Sequence, residues 1–253
     1  MKPFSSIRSH FFESIDSSNN WIKRQIQDFS SLDLQIVCAK AQTNGRGTRG
    51  KSWHSPEQGN LYASFLFCTE LFKKKQAVLF SQIFSYSLLQ LIEQKNITLC
   101  FKWPNDFLLN SKKIGGLLCE SLRFSDGKEA LIIGLGLNLA MDAKNCQKID
   151  QEASSIYLET KIKISSKEIL EEITRAFLEE LQRFQQNPNI DYSQKIAQFD
   201  ALLGKKVALE QDGKTWEGQH IGLTKNGALL LKTNENSKLS FYSGKLKTMN
   251  LMS

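Results

Sequence analysis

Nine consecutive residues, Gly45-Arg46-Gly47-Thr48-Arg49-Gly50-Lys51-Ser52-Trp53, place three glycines, three cations and an indole in one short stretch. Glycine lets the backbone approach a ligand and offer its amide N–H groups, while arginine and lysine neutralise carboxylate or phosphate. The stretch therefore has the chemistry of an anion site. Its Gly-x-Gly-x-x-Gly spacing would indicate a dinucleotide fold only if a helix followed, or a kinase only if a strand carrying valine followed. Pro56 and Gly59 break a helix at that point, and the chain has no Walker A, His-Arg-Asp or Asp-Phe-Gly motif. Gly134-Leu135-Gly136 lacks a third glycine, with Leu139 in its place.

A second cluster, Lys102-Trp103-Pro104-Asn105-Asp106, is followed by Lys113-Ile114-Gly115-Gly116 and Glu120. Proline forces the residue before it out of the helical region, so Asn105 and Asp106 emerge from a stiff turn at the head of a strand. From there Asp106 can coordinate Mg²⁺ or a ribose hydroxyl, and Asn105 can hydrogen-bond a ligand. Lys113, on the strand paired with them, can reach an acyl or phosphate oxygen. Taken singly these residues have ordinary surface readings, Lys102 and Lys113 as solvated charges and Asp106 as a turn residue. Only their combination points to chemistry.

These residues need a scaffold, and the apolar periodicity supplies one. A helix begins at Ser17 or Ser18 with Trp21, Ile22, Ile26 and Phe29 on one side, and Leu34 to Ala41 reads as a strand. Leu61 to Cys68 reads as a buried strand and Ala77 to Glu93 as a mostly apolar helix. Three further strands, Phe107 to Leu109, Ile114 to Phe124 and Ala130 to Leu139, are joined by turns at Asn110-Ser111-Lys112 and Ser125-Asp126-Gly127. Ser165-Ser166-Lys167-Glu168 has capping-box spacing ahead of a helix that runs to Asn187-Pro188, and a last helix is expected over Tyr192 to Leu202. After Gly204 come four short strands, Val207 to Leu209, Trp216 to Leu223, Ala228 to Leu231 and Leu239 to Tyr242. The expected fold is α+β: a mixed, largely antiparallel sheet packed with helices over residues 1–202, and a small C-terminal β-barrel over residues 203–253.

Composition narrows the function classes. With 41% hydrophobic and 23% charged residues, the chain is of ordinary globular make-up. The longest apolar stretch, Leu131 to Met141, is too short for a membrane helix, and the N-terminus lacks the apolar core of a signal peptide, so a cytoplasmic location and no membrane partner are expected. Cys38, Cys68, Cys100, Cys119 and Cys146 are widely spaced without a CxxC pair, which favours reduced thiols. His10, His54 and His220 are scattered, so any metal should arrive with a nucleotide. The net charge of +7 is compatible with anionic substrates, an acidic protein or nucleic acid. No helix-turn-helix precedes Ser17 and the lysines form no dense stripe, so DNA is not an expected partner.

In chain order, Asp16-Ser17-Ser18-Asn19-Asn20, Gln42, the Gly45 to Trp53 stretch, Lys102 to Asp106, Lys113 to Gly116 and Gly134-Leu135-Gly136-Leu137-Asn138 closely resemble the biotin protein ligases. Asn226-Gly227-Ala228-Leu229-Leu230 resembles that family's C-terminal domain. The resemblance implies two steps. Biotin and ATP give biotinyl-adenylate and pyrophosphate, and a lysine of a biotin carboxyl carrier protein then takes the biotinyl group.

By the same resemblance, Ser17, Ser18, Asn19, Gln42 and Gly45 bind biotin with Gly116 lining the pocket, and Arg46 and Lys113 are the catalytic cations at the carboxylate and adenylate phosphate. Trp53 stacks on adenine, Arg49 and Lys51 bind phosphates or order the loop, and Asn105, Asp106 and Asn138 hold the nucleotide, Asp106 also facing its Mg²⁺. Two departures stand out. Thr48 occupies a position where many members carry another arginine, which should weaken retention of the adenylate. No N-terminal DNA-binding domain is recognisable, so a ligase without repressor function, monomeric or homodimeric, is expected. The competing readings are a lipoate ligase, for which the Lys-Trp-Pro-Asn-Asp cluster is less suited, a non-catalytic sensor, which would not need Arg46, Lys113 and Asp106 together, and a structural protein, which leaves the second cluster unexplained.

Overall fold

The computed structural model describes residues 3–72 and 77–249. Met1 and Lys2, part of the N-terminal reading, lie outside the described residues. The chain forms β1 (Ile7–Ile15), α1 (Ser18–Gln25), β2 (Leu34–Gln42), β3 (Leu61–Cys68), α2 (Ala77–Glu93), β4 (Cys100–Lys102), β5 (Asp106–Leu109), β6 (Lys112–Arg123) and β7 (Glu129–Leu137). Then come α3 (Ala143–Cys146), α4 (Ile156–Thr160), α5 (Ser166–Gln186) and α6 (Tyr192–Ala197), followed by β8 (Lys206–Gln211), β9 (Lys214–Leu223), β10 (Leu229–Lys232), β11 (Lys238–Phe241) and β12 (Lys245–Thr248).

The first seven strands make one sheet in the order β1-β2-β3-β7-β6-β5-β4. Its β1–β2 pair is parallel and the remaining pairs are antiparallel, the mixed, largely antiparallel sheet expected. β3 is buried at every position, because helices cover both faces of the sheet there. On one face Phe65 and Phe67 meet Phe80 and Phe84 of α2 and Phe177 of α5; Phe65–Phe84 and Phe84–Phe177 have centroids 5.0 and 4.9 Å apart. Edge-to-face pairs of this kind add roughly 0.5–1.5 kcal/mol each beyond their area burial. On the other face Ile22 of α1 and Ile26 just after it pack with Val37, Leu66, Cys68 and Ile132. A strand covered on both sides reads as a continuous apolar run, which is why β3 was legible as buried.

Short β4, α3 and α4 form in stretches to which the sequence reading gave no element, and the structure departs from that reading at three further elements. The segment ahead of Ser17 is a nine-residue strand, β1. It lies at the sheet margin, where little of it is buried and its apolar alternation is diluted. The helix expected over Tyr192 to Leu202 stops at Ala197, since the next residues turn their backbone to β4: Phe101 N–H donates to Phe199 O at 2.7 Å and Ala201 N–H to Phe101 O at 2.8 Å. The C-terminal unit has a fifth strand, β12. Its sheet is antiparallel, in the order β11-β10-β9-β8-β12, with the two end strands not bonded to one another. None of the five cysteines is in a disulfide, and no described helix is long and apolar enough to cross a membrane.

Candidate active site

A cavity of about 210 Å³ opens where the start of α1, the end of β2, the basic loop, the β4–β5 turn, the starts of β6 and β12 and the middle of β7 converge. Its floor is made of glycine. Gly116 and Gly136 are cross-strand partners, and the Trp53 ring lies over both; a Cβ at Gly136 would sit 2.4 Å from Trp53 Cε2, and one at Gly116 3.4 Å from Trp53 Cζ3. Gly134 makes room in the same way for Asn19, whose Oδ1 would be 2.4 Å from a Cβ. Glycine inside a buried strand marks such close approaches.

The inner end of the cavity is lined by neutral polar side chains hung on the first turn of α1 and backed by ion pairs. Ser17 caps the helix by accepting from Asn20 N–H, and Asp16 is locked beside it by Arg24, whose guanidinium donates to both carboxylate oxygens at 2.7 and 2.8 Å and holds the carboxyl well below its usual range. Ser18 donates from N–H and Oγ–H to Gln42 Oε1 at 2.8 and 3.1 Å, while Gln42 Nε2 donates to Ser55 Oγ at 3.0 Å. Ser64 Oγ lies 2.7 Å from Ser18 Oγ and 2.5 Å from Asn19 Oδ1, and Asn19 Nδ2 donates to Glu120 Oε2 at 2.9 Å. Burial raises the pKa of Glu120, but its bonds from Lys23 and Asn19 and the charges of Lys23 and Arg46 outweigh this and leave it below the ordinary value.

The outer end is cationic. The basic loop is a tight turn in which Arg46 bridges to Ser52, Gly47 N–H donates to Lys51 O at 2.7 Å, and Arg49 and Gly50 have φ of 57° and 73°. Arg46 donates to Asn20 Oδ1 at 3.0 Å and Glu120 Oε1 at 3.1 Å. Lys113 Nζ is 2.6 Å from Asp106 Oδ1 and 5.1 Å from the centroid of the Trp53 ring. Its backbone is pinned by a second segment, with Lys113 N–H donating to Glu152 O and Ser154 N–H to Lys113 O. Arg49, Lys51, Lys102, Lys245 and Lys247 complete the lining, and among the described residues Asp106 is the acidic group there. Burial lowers the pKa of Lys102 and the charges of Lys113 and Lys245 push the same way, opposed by Asp106. Such a wall gains stability when an anion enters.

Of the residues singled out from sequence, Ser17, Ser18, Asn19, Gln42, Arg46, Arg49, Lys51, Trp53, Asn105, Asp106, Lys113 and Gly116 line this cavity. Gly45 and Asn138 stand behind it. A Cβ at Gly45 would be 2.4 Å from Trp53 O, so this glycine lets the base of the loop close. Asn138 is buried, its Nδ2 donating to Ser154 O at 3.0 Å, and Asn138 Oδ1 and Trp53 Nε1 are buried without a partner among the described residues. The sequence reading gave no role to Glu120 and missed Gln151, Lys245 and Lys247, and it noted Gly134 and Gly136 only within a motif. The alternate glycines in an apolar strand were a usable signal for the floor.

Two family descriptions match the chain: Biotin/lipoate A/B protein ligase family over residues 11–138, and Biotin protein ligase C terminal domain over residues 202–245. The chain belongs to the biotin/lipoate A/B protein ligase family. Within this ligase-family chain, the first match runs from β1 to Asn138, and the second spans most of the C-terminal sheet as far as Lys245. The bifunctional ligase/repressor of Escherichia coli (strain K12) is 28% identical over 219 residues, 86% of this chain and 67% of its own. The biotin–[acetyl-CoA-carboxylase] ligase of Paracoccus denitrificans is 32% identical over 146 residues, 56% of this chain and 60% of its own. A solved biotin protein ligase from Aquifex aeolicus, in complex with biotin and ATP, superposes with a TM-score of 0.82 at 27% identity, covering 96% of this chain and 99% of that one.

Proposed function

We propose that this chain is an ATP-dependent biotin–protein ligase: it makes biotinyl-5'-AMP from biotin and ATP and transfers the biotinyl group to a specific lysine of a biotin carboxyl carrier protein. The observation that carries this reading is the junction, in one cavity, of a neutral hydrogen-bonding cage at the inner end with a cationic wall at the outer end. A neutral polar head and a carboxylate tail fit that polarity, and the carboxylate then meets the phosphates at the cations. In the first step a biotin carboxylate oxygen attacks the α-phosphorus, a P–O bond forms and the bond to pyrophosphate breaks. In the second, the carrier amine attacks the acyl carbon and AMP leaves. Both steps crowd negative charge between acyl and phosphoryl oxygens, so catalysis is mainly orientation and charge stabilisation, with no covalent enzyme intermediate.

In this reading Ser17, Ser18, Asn19 and Gln42 hold the head group over Gly116, with Gly45 closing the loop behind it. Arg46 and Lys113 serve the reacting oxygens, and Arg49 and Lys51 serve the phosphates. Trp53 stacks on adenine, which Asn105, Asp106 and Asn138 help to hold. No three metal-ligating side chains gather among the described residues, and one carboxylate fits Mg²⁺ carried in by the nucleotide's phosphates, with Asp106 the protein group nearest to hold it. Cysteines outside disulfides suit a cytoplasmic setting. We assign catalysis to residues 1–202 and a supporting role to residues 203–253.

The test is incorporation of biotin into a purified biotin carrier domain with ATP and Mg²⁺, comparing the wild type with Lys113→Ala. Wild-type labelling that falls by about a hundredfold or more in the variant is expected, the scale on which loss of one charge-stabilising group slows a reaction. Biotin binding without pyrophosphate release or carrier labelling would overturn the assignment, and preference for lipoate would redirect it.

A further inference from the structure

Two fully buried ionisable side chains lie away from the cavity and have no part in the steps above. His220, in β9, and Asp200, just beyond α6, are 0% and 2% exposed, with His220 Nε2 2.7 Å from Asp200 Oδ2. The other ring nitrogen is also engaged: Gly222 N–H approaches Nδ1 at 3.3 Å and Leu230 O lies 3.4 Å from it. Asp200 Oδ1 accepts from Leu202 N–H at 2.9 Å. The pair therefore fixes β9 against the turn after α6 through bonds on both partners.

That turn leads directly to the site. Its backbone pairs in parallel with Phe101, the residue before Lys102. On the other side, β9 is bonded to β8 and β8 to β12, and residues 244–247 at the start of β12 are where the C-terminal sheet reaches the cavity among the described residues. The relative position of β4 and β9 thus sets how far Lys245 and Lys247 stand from Lys102 and Lys113. The biotin-facing side chains Ser17, Ser18, Asn19 and Gln42 sit at the start of α1 and the end of β2, outside this chain of contacts.

We propose that Asp200 and His220 are positioning residues for the nucleotide half of the cavity, holding the cationic wall contributed by the C-terminal sheet in register with the β4–β5 turn. This rests on reading the cavity as the ATP and biotin site. It predicts a selective defect: loss of the bond weakens productive binding of ATP and spares biotin.

The experiment is biotin-dependent ATP–pyrophosphate exchange by the full chain, comparing wild type, His220→Leu and His220→Gln, the last of which can return an N–H to the place of the ring Nε2. In His220→Leu the KM for ATP should rise at least about tenfold with the KM for biotin within about twofold, and His220→Gln should recover most of the loss. If His220→Leu does not fold, His220→Asn, polar but too short to reach Asp200, takes its place with the same expected split. An unchanged KM for ATP, parallel rises in both KM values, or no recovery with glutamine would each overturn the proposal. A wild type without exchange would instead sink the functional reading on which it stands.

Discussion

At Thr48 the cavity wall has a short hydroxyl between Arg46 and Arg49. Under the ligase reading, a longer cation there would add a phosphate contact, so Thr48→Arg should slow release of biotinyl-adenylate relative to the wild type; equal release rates, measured by trapping the free adenylate, would refute this. The floor makes a sharper demand. A methyl at Gly136 would fall 2.4 Å from the Trp53 ring, closer than packed carbon atoms approach, so the indole must move. Gly136→Ala is expected to lower kcat/KM for ATP by about tenfold or more, since displacements near 1 Å at a reacting site cost up to about a hundredfold. Steady-state kinetics with varied ATP would show it, and wild-type kinetics would mean the ring is not fixed by this contact. The cations and polar residues of the α1 start, the basic loop, the β4–β5 turn and the β6 start were legible because their types and local spacing declare their chemistry, whereas Lys245 and Lys247 were not. Glu120 and Gln151 were not, because a lone glutamate or glutamine is usually a solvated surface residue and only the folded chain brings Glu120 to Arg46, Lys23 and Asn19.

Among the elements, those with strong periodicity or two covered faces were readable: β3 and α2 begin and end at the residues their apolar pattern indicates. Those defined by pairing at a margin were not. β12 buries one of its four residues, Leu246, yet it carries Lys245 and Lys247 into the cavity. α4 illustrates how short elements are held instead by polar contacts. Its Glu159 accepts from Ser154 Oγ at 2.6 Å, Lys112 Nζ at 2.9 Å and Asn110 Nδ2 at 3.1 Å, tying the helix to the β5–β6 hairpin. The bond from Ser154, then those from Lys112 and Asn110, lower its pKa from 4.5 to about 2. A carboxylate with a depressed folded-state pKa contributes stability that is fully present above its unfolded value and is lost as pH falls through the folded one. Between pH 4.5 and about 2, Glu159→Gln should therefore lose less of its melting temperature than the wild type. Parallel acid profiles for the two proteins would remove Glu159 from the account.

For the molecule as a whole, the decisive question is whether the two sheets behave as one body. The sequence showed a change of pattern at Gly204 but carried no sign of the seam, since its contacts join residues far apart in the chain. Trp103 Nε1 donates to Gly227 O at 3.1 Å, a buried bond across 124 positions. Gly227, with φ of 79°, lies so close to α2 that a Cβ would stand 2.1 Å from Val78 Cγ1. The junction residues 203–206 are exposed, but with the Asp200–His220 pair the seam itself is buried and hydrogen-bonded, conditions under which two units unfold together. Trp103→Phe keeps much of the packing but leaves the Gly227 carbonyl buried without its donor, a loss of about 1–3 kcal/mol. If the sheets are one cooperative body, the cost falls on the whole chain: a single thermal transition shifted down by roughly 2–4 °C for each kcal/mol lost. Calorimetry separates this from the alternative, because a weakly coupled C-terminal sheet would instead leave the main transition in place and melt ahead of it as a separate, earlier step.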